Sequence, residues 1–357
     1  MIKTNNLLNA KISALLAALL FGASAPFSKL LLNEFKPLQL AGILYLGSGF
    51  GLLIVKLIQI KILKVKNEEA KINQKELLWL IGAVVFGGIF APIILMIGLN
   101  QTQASTASLL LNFEAVATTI IALIFFKEHI GKKIWFSITL ITMASIILSL
   151  DLSGKWGLSI GALGIILACI LWGIDNNFTR NISLKDPFII VIVKGLCAGC
   201  FSLLLSAILG YSLPELNKII FGLILGFFSY GFSLLLFILA LRNLGSVRAS
   251  AFFGFAPFLG TLISFIIFKD IYNILFYLSL PLMITGAYLL FKEKHLHMHS
   301  HEKLAHEHIH EHHDEHHQHN HKNNELIRDQ KHSHLHKHEK LEHTHEHLPD
   351  IHHRHEH

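Results

Sequence analysis

Glu114 stands inside an apolar run, Leu109-Leu110-Leu111-Asn112-Phe113-Glu114-Ala115-Val116. A charge at the centre of a membrane-spanning helix costs about 2.5–3.5 kcal/mol on insertion scales, so such a group is kept where it binds a proton, an ion or a partner charge. Glu114 is therefore the first candidate for a carboxyl that takes up and releases a proton. The bland reading is a structural carboxyl, protonated or paired to a neighbouring helix. Lys194 stands in a second apolar run, Val191-Ile192-Val193-Lys194-Gly195-Leu196. Its long stem could carry the charge to the interface. Alternatively it faces a cavity, where it pairs with Glu114 or holds an anionic group. A third cluster, Trp172-Gly173-Ile174-Asp175-Asn176-Asn177-Phe178, is unusually polar for an apolar helix. Either it lines a cavity or it is a helix end meeting water, with Asp175 at the interface. Ser24, Pro26 and Asn112 join the cavity candidates, because Pro26 breaks helix hydrogen bonds and matched breaks point to binding sites.

A different chemistry fills the C-terminus. Of 25 histidines, 24 lie in residues 292–357; His129 is the exception. They recur in alternation, as His295, His297, His299 and His301, as His306, His308 and His310, and as His343, His345 and His347. A denser block holds His312, His313, His316 and His317. Imidazole suits Ni²⁺, Co²⁺ and Zn²⁺, and residues i and i+2 share one face of an extended chain. Metal capture, a pH-sensitive charged tether and a plain solvated extension are the three readings. A segment of this composition cannot bury a core, so it is expected to be disordered when free.

The elements that position these groups follow from composition. The chain has 357 residues, of which 52% are hydrophobic and 15% charged, with a mean hydropathy of +0.53. An average soluble protein is about 25% charged, so an ordinary soluble domain is excluded. Ten apolar runs are long enough to span a bilayer: roughly 12–32, 37–57, 77–99, 104–126, 133–150, 157–178, 187–209, 217–241, 246–268 and 271–291. Lipid offers no partner to an open backbone, so these runs are expected to be helices. Ala23-Ser24-Ala25 resembles a cleavage site, but the run continues to Leu32, so an uncleaved first helix is expected. The chain carries a formal charge of +6. Its basic residues sit in short breaks between apolar runs, which argues for a membrane protein and against nucleic acid. With both termini in the cytoplasm, the inner segments collect Lys3, Lys11, Lys56, Lys61, Lys64, Lys66, Lys71, Lys75 and most later basic residues. The outer loops keep Lys29, Lys36, Lys155, Lys218 and Lys269. Cys169, Cys197 and Cys200 lie in apolar runs and suggest no disulfide framework. Cys197-Ala198-Gly199-Cys200 and the glycines 47, 49, 51, 87 and 88 read as small packing residues.

The chain repeats itself. Leu20-Phe21-Gly22 with Phe27-Ser28-Lys29 matches Leu171-Trp172-Gly173 with Phe178-Thr179-Arg180. Ala107-Ser108, Phe113 and Phe126-Lys127-Glu128 match Ala249-Ser250, Phe255 and Phe268-Lys269-Asp270. Five spans per repeat is an odd number, so the halves must enter the membrane in opposite senses, and a site is expected where they meet. The organisation is thus an all-α integral membrane protein of ten helices in two inverted five-helix repeats, residues 1–150 and 151–291, with a tail over 292–357.

On these motifs, over residues 12–291, the chain resembles the EamA-type transporters of the drug/metabolite transporter superfamily. The resemblance implies a central cavity and secondary transport of small solutes, often export, without ATP. The second repeat has Ala256-Pro257 where the first has Glu114; the family often has proline at that level, so Glu114 departs from its pattern. Three readings stand. The first is a metabolite carrier of the cytoplasmic membrane working by alternating access, with Glu114 as coupling site. The second is a carrier of Ni²⁺, Co²⁺ or Zn²⁺ fed by the tail. The third is a non-transporting metal sensor. An enzyme is not expected, no cofactor is required, and Ni²⁺, Co²⁺ or Zn²⁺ on the tail is optional. The partners are a small solute and membrane lipid, and a homodimer is the protein assembly left open.

Overall fold

The computed structural model describes residues 2–62, 64, 72–126, 131–150, 158–182, 185–244, 252–269, 273–292, 295–301, 305–310, 332–337 and 341–347. The motif residues Lys127, Glu128, Arg248, Ala249, Ser250 and Asp270, and His312, His313, His316 and His317 of the tail, lie outside them. Eight helical spans are long and apolar enough to cross a bilayer: Ala10–Leu31, Pro37–Lys61, Glu76–Asn100, Ala104–Phe125, Lys132–Ser149, Ile160–Arg180, Pro187–Ile208 and Leu216–Ala240. Two shorter apolar helices, Ala256–Phe268 and Ile274–Leu290, complete ten. They are spans one to ten below.

Local chemistry sets their starts. Spans two and seven open on Pro37 and Pro187, at the helix position where a missing N–H costs nothing. The helix of span three is capped by Asn73, which accepts the Glu76 N–H at 3.0 Å while the Glu76 carboxylate accepts the Asn73 N–H at 2.8 Å. Large apolar side chains such as Leu78, Phe125 and Ile208 stand exposed around the bundle. Water would not tolerate so much apolar surface, whereas lipid does.

The packing pattern carries the two-fold relation. Spans two and seven, four and nine, and five and ten each pack on their repeat mates. Span one lies on span eight as span six lies on span three, and span six lies on span four as span one lies on span nine. Each contact maps onto another when the halves are exchanged, as inverted five-helix repeats require. Backbones approach closely at the crossings. A Cβ added to Gly195 would sit 2.6 Å from the Gly49 nitrogen, and one added to Gly49 would sit 2.7 Å from the Leu196 nitrogen. Without a hydrophobic drive between helices in lipid, this contact is what joins spans two and seven. Gly195→Val is therefore expected to lower the melting temperature of the detergent-solubilised chain by several degrees, and Ala207→Val, exposed on the same helix, to leave it unchanged.

One sequence expectation is corrected here. Cys197 and Cys200 are exposed and face away from the bundle, while Ala198 and Gly199 between them are the buried packing residues. Strands β1 (His295–His301) and β4 (Leu341–His347) pair antiparallel, as do β2 (Ala305–His310) and β3 (His332–Lys337). The physical reason is the alternation itself: a period of two is the period of a strand.

Candidate functional site

The helices that meet at the centre are interrupted there. Span one turns at Ala23, one residue after Gly22, whose carbonyl lies four residues before Pro26 and gets no N–H from it. Span four is two helical pieces, Ala104–Leu110 and Phe113–Phe126, joined through Leu111 and Asn112. Span nine is likewise interrupted at residues 254–255 before Ala256, the position that the repeat pairs with 112–113; the unbroken 246–268 helix expected from hydropathy is corrected. Spans three and eight both widen into π-helical turns, Val84–Phe90 and Phe227–Phe232, again at matched positions. Such turns recur at functional sites.

The π-turn of span three frees a carbonyl. In its wide spacing the Ala91 N–H donates to the Phe86 carbonyl. The residue in step with the Gly87 carbonyl is then Pro92, which has no N–H. Two side chains from other helices supply the donors. The Tyr45 hydroxyl of span two donates to Gly87 O at 2.7 Å, and Trp172 Nε1 of span six donates to it at 3.0 Å. Trp172 is thus an anchor of spans two, three and six. Its ring, with Phe21, Tyr45 and Tyr230, forms an aromatic wall: centroids lie 6.5 Å apart for Phe21–Trp172, 6.0 Å for Phe21–Tyr230 and 5.6 Å for Tyr45–Tyr230.

The charges divide into two groups. Asp175, 3% exposed, is ion-paired with the half-buried Lys194 and accepts a hydrogen bond from Thr179 Oγ1 at 3.1 Å. Asp175 is therefore buried within the protein, and Lys194 pairs with it and not with Glu114. Glu114 sits in the first turn of the Phe113–Phe126 piece, where the helix dipole favours a negative charge. Its Oε1 accepts from Asn176 Nδ2 at 2.8 Å, and the same amide lies 3.1 Å from Thr118 Oγ1. Among the described residues, Glu114 has no cation within ion-pair distance. Asn176 is exposed, and Glu114 and Thr118 are half-buried.

The remaining candidates hold the frame. Asn177 is buried and donates to Thr118 O at 3.1 Å and Gly173 O at 2.8 Å, tying span six to span four. Asn112 is buried at the break and donates to Leu109 O at 3.0 Å. Ser24 and Pro26 are buried beside the turn in span one. Tyr45, Thr118, Phe21 and Tyr230 escape the sequence reading. The two tyrosines carried a signal, a hydroxyl within an apolar run that needs a partner; Phe21 carried one as the repeat mate of Trp172, and Thr118 carried none. Lys29 of the repeated Phe-Ser-Lys motif donates to the Leu99 and Asn100 carbonyls at 2.7 and 2.9 Å, capping the end of span three. Among the described residues, no three His, Cys, Asp or Glu side chains converge as metal ligands.

Known proteins agree with this architecture. A protein described as an uncharacterized transporter from Methanothermobacter thermautotrophicus is 26% identical over 295 residues, which is 78% of this chain and 85% of that protein. A crystal structure at 15% identity superposes with a TM-score of 0.57, covering 78% of this chain and 94% of its own, and shares the fold. Residues 8–150 and 159–292 each match the EamA-like transporter family, one match per repeat, and the chain belongs to that family as a multi-pass membrane transporter of a small solute.

Proposed function

We propose that this transporter exports a small metabolite across the cytoplasmic membrane by alternating access, with Glu114 as the proton-coupling site and both termini in the cytoplasm. One observation carries the reading: Glu114 lies half-buried at the break of span four, where its carboxylate accepts from the neutral Asn176 amide and, among the described residues, meets no cation at ion-pair distance. A carboxyl so placed can gain and lose a proton without breaking an ion pair. Protonated, it leaves the centre neutral; ionised, it leaves one negative charge there, because Asp175 and Lys194 cancel. The state of Glu114 then biases which side the repeats open to.

The lysine-rich ends supply a closure. Lys56 Nζ meets Asp186 Oδ2 at 2.7 Å with both residues buried, and Lys185 Nζ meets Glu76 Oε1 at 3.2 Å. Each pair joins one repeat to the other. Opening toward that side requires both to part. The metal-carrier reading is not favoured for the helices, since ligands do not converge there among the described residues. A sensor would have no need of breaks at matched positions in spans four and nine.

The test compares cells expressing the full chain with empty-vector cells by untargeted mass spectrometry of medium and extract. The solute that shifts is then followed in proteoliposomes holding a pH-sensitive dye. The expected result is an organic solute depleted from cells and moved against a proton flux. A shift confined to metal ions overturns the metabolite reading, and solute movement without proton flux overturns the coupling. A variant bears on the geometry as well. A Cβ added to Gly87 would land on the Asp175 carboxylate. Gly87→Ala is expected to displace that carboxylate and slow transport about tenfold or more. Gly164→Ala, whose Cβ would meet ordinary contacts starting at 3.4 Å, is expected to behave as the parent.

A further inference from the structure

We infer that Lys185 and Asp186, adjacent residues in the link between spans six and seven, form a two-point latch without an equal at the opposite end, so that the resting protein is closed at the Lys56 end. The inference rests on the alternating access proposed above, and not on the solute or on Glu114. Asp186 is the N-cap of span seven. Its Oδ1 accepts the Phe188 N–H at 3.0 Å, and its Oδ2 takes Lys56 at 2.7 Å. Glu76 works the same way in span three. Its Oε2 accepts the Asn73 N–H at 2.8 Å, and its Oε1 takes Lys185 at 3.2 Å. Each carboxylate thus caps a helix with one oxygen and holds a lysine of the other repeat with the second. The Lys56 ammonium also stands 5.0 Å from the Phe188 ring centroid, a further contact for the cation. The side chains of both pairs are 5–20% exposed, so water does not readily replace a lost partner.

The repeat assigns counterparts at the opposite end. Glu76 and Lys218 each stand three residues after the cap of their helix, Asn73 and Glu215. Glu34 follows Lys29 of the Phe-Ser-Lys motif by five residues, as Lys185 follows Arg180. Lys218 Nζ meets Glu34 Oε1 at 3.3 Å, so the Glu76–Lys185 pair recurs with its charges reversed. The recurrence is weak. Its side chains are 40% and 48% exposed, where an ion pair contributes little. A lysine in the first turn opposes the helix dipole, whereas a glutamate there is favoured. The Lys56–Asp186 pair does not recur. Pro37 and Pro187 open their helices alike, which matches Asp186 with Lys36 and Lys56 with Ser206, and these cannot form an ion pair. Gln39 Nε2 does donate to Ser212 O at 2.9 Å between the repeats at that end, but the bond is neutral. When the halves exchange conformations, each contact at one end passes to its counterpart at the other. Closing the second end therefore gives up two buried pairs and keeps one exposed pair among the described residues, and the equilibrium lies toward closure at the Lys56 end.

The test needs no solute. The full chain, with Cys169, Cys197 and Cys200 replaced by serine, is held in lipid nanodiscs and carries a pair of spin labels across one end at a time. Gln74→Cys with Ile189→Cys reads the Lys56 end, and Gln101→Cys with Leu213→Cys reads the other; all four positions are exposed. Glu76→Gln and Asp186→Asn keep their caps, because a carboxamide oxygen still accepts the capping N–H, and remove only the charge. In the parent the Lys56 end is expected to show one short, narrow distance distribution. With both carboxamides a longer-distance population there should grow about tenfold or more, while the other end shortens. Lys218→Gln should leave both ends as in the parent. Glu76→Lys should open the Lys56 end, and adding Lys185→Glu should close it again, a rescue that loss of folding would not give. A parent that rests open at the Lys56 end, equal opening by Lys218→Gln and by the carboxamides, or no rescue by the exchanged pair overturns the latch and leaves alternating access in place. Distances that stay fixed at both ends in every variant overturn alternating access and the latch with it.

Discussion

Glu114→Gln is expected to abolish gradient-driven transport, lowering the initial rate by about two orders of magnitude, while leaving the chain folded. The substitution keeps size and hydrogen-bonding capacity, so the contact to Asn176 Nδ2, 2.8 Å in the parent, can be remade through the amide oxygen. It removes only the exchangeable proton. The break in span four rests on Leu111 and Asn112, not on the carboxylate, so the melting temperature should hold or rise. Solute exchange across proteoliposomes with no pH gradient should survive, because binding and alternation remain possible when coupling is lost. Glu114→Asp should retain partial driven transport, since the shorter carboxyl still titrates but loses its reach to Asn176. The pH profile of driven transport should flatten in the glutamine variant. Full driven transport by Glu114→Gln would remove the residue from the coupling mechanism, and loss of both driven transport and exchange would move it to solute binding.

How much of this site is legible in the sequence depends on what each feature requires. A charge in an apolar run is conspicuous by itself, and Glu114 and Lys194 stand out for that reason. Their partners do not, because partner choice depends on helix rotation and on the vertical offset between spans. Asn176 meets Glu114 across a separation of 62 residues, and nothing within either run specifies the meeting. The hydropathy of span six marks Asp175 as equally compatible with an interface. What buries it is the Gly87 π-turn, which leaves room for its carboxylate. The π-turns are silent in the sequence, since widening one turn shifts the apolar face by less than one residue. Pro92 hints at the first, but the second spans 227–232 without a proline. The repeat was visible and so were the ten spans, because both rest on composition over many residues. In the tail the alternation of histidines is equally visible. Its register is not: His332, His334 and His336 alternate as clearly as the runs singled out, and only the pairing of β2 with β3 gives them partners.

The second large effect concerns the ion pair between Asp175 and Lys194. Asp175→Asn alone and Lys194→Met alone are each expected to destabilise the chain strongly, by about 3–5 kcal/mol, because each leaves the opposite charge uncompensated in a low-dielectric site. The side chains are 4% and 13% exposed, so water cannot take over the lost partner. The double variant should recover most of the loss, ending within about 1–2 kcal/mol of the parent, since replacing both charges removes the desolvation cost along with the attraction. Unfolding of the four proteins in detergent, followed as a double-mutant cycle, reads this directly. The geometry adds a functional arm. Asp175 approaches the glycine at 87, whose carbonyl holds Tyr45 and Trp172, so the pair fixes spans six and seven to the π-turn of span three. If the pair serves only as structural glue, the double variant should transport at near-parent rate once it is stable. If its charges also balance Glu114 during the cycle, the double variant should be stable and slow, with a pH profile shifted from that of the parent. Single variants as stable as the parent would mean that the pair is solvated, and a double variant as unstable as the singles would mean that the two residues do not act as one unit.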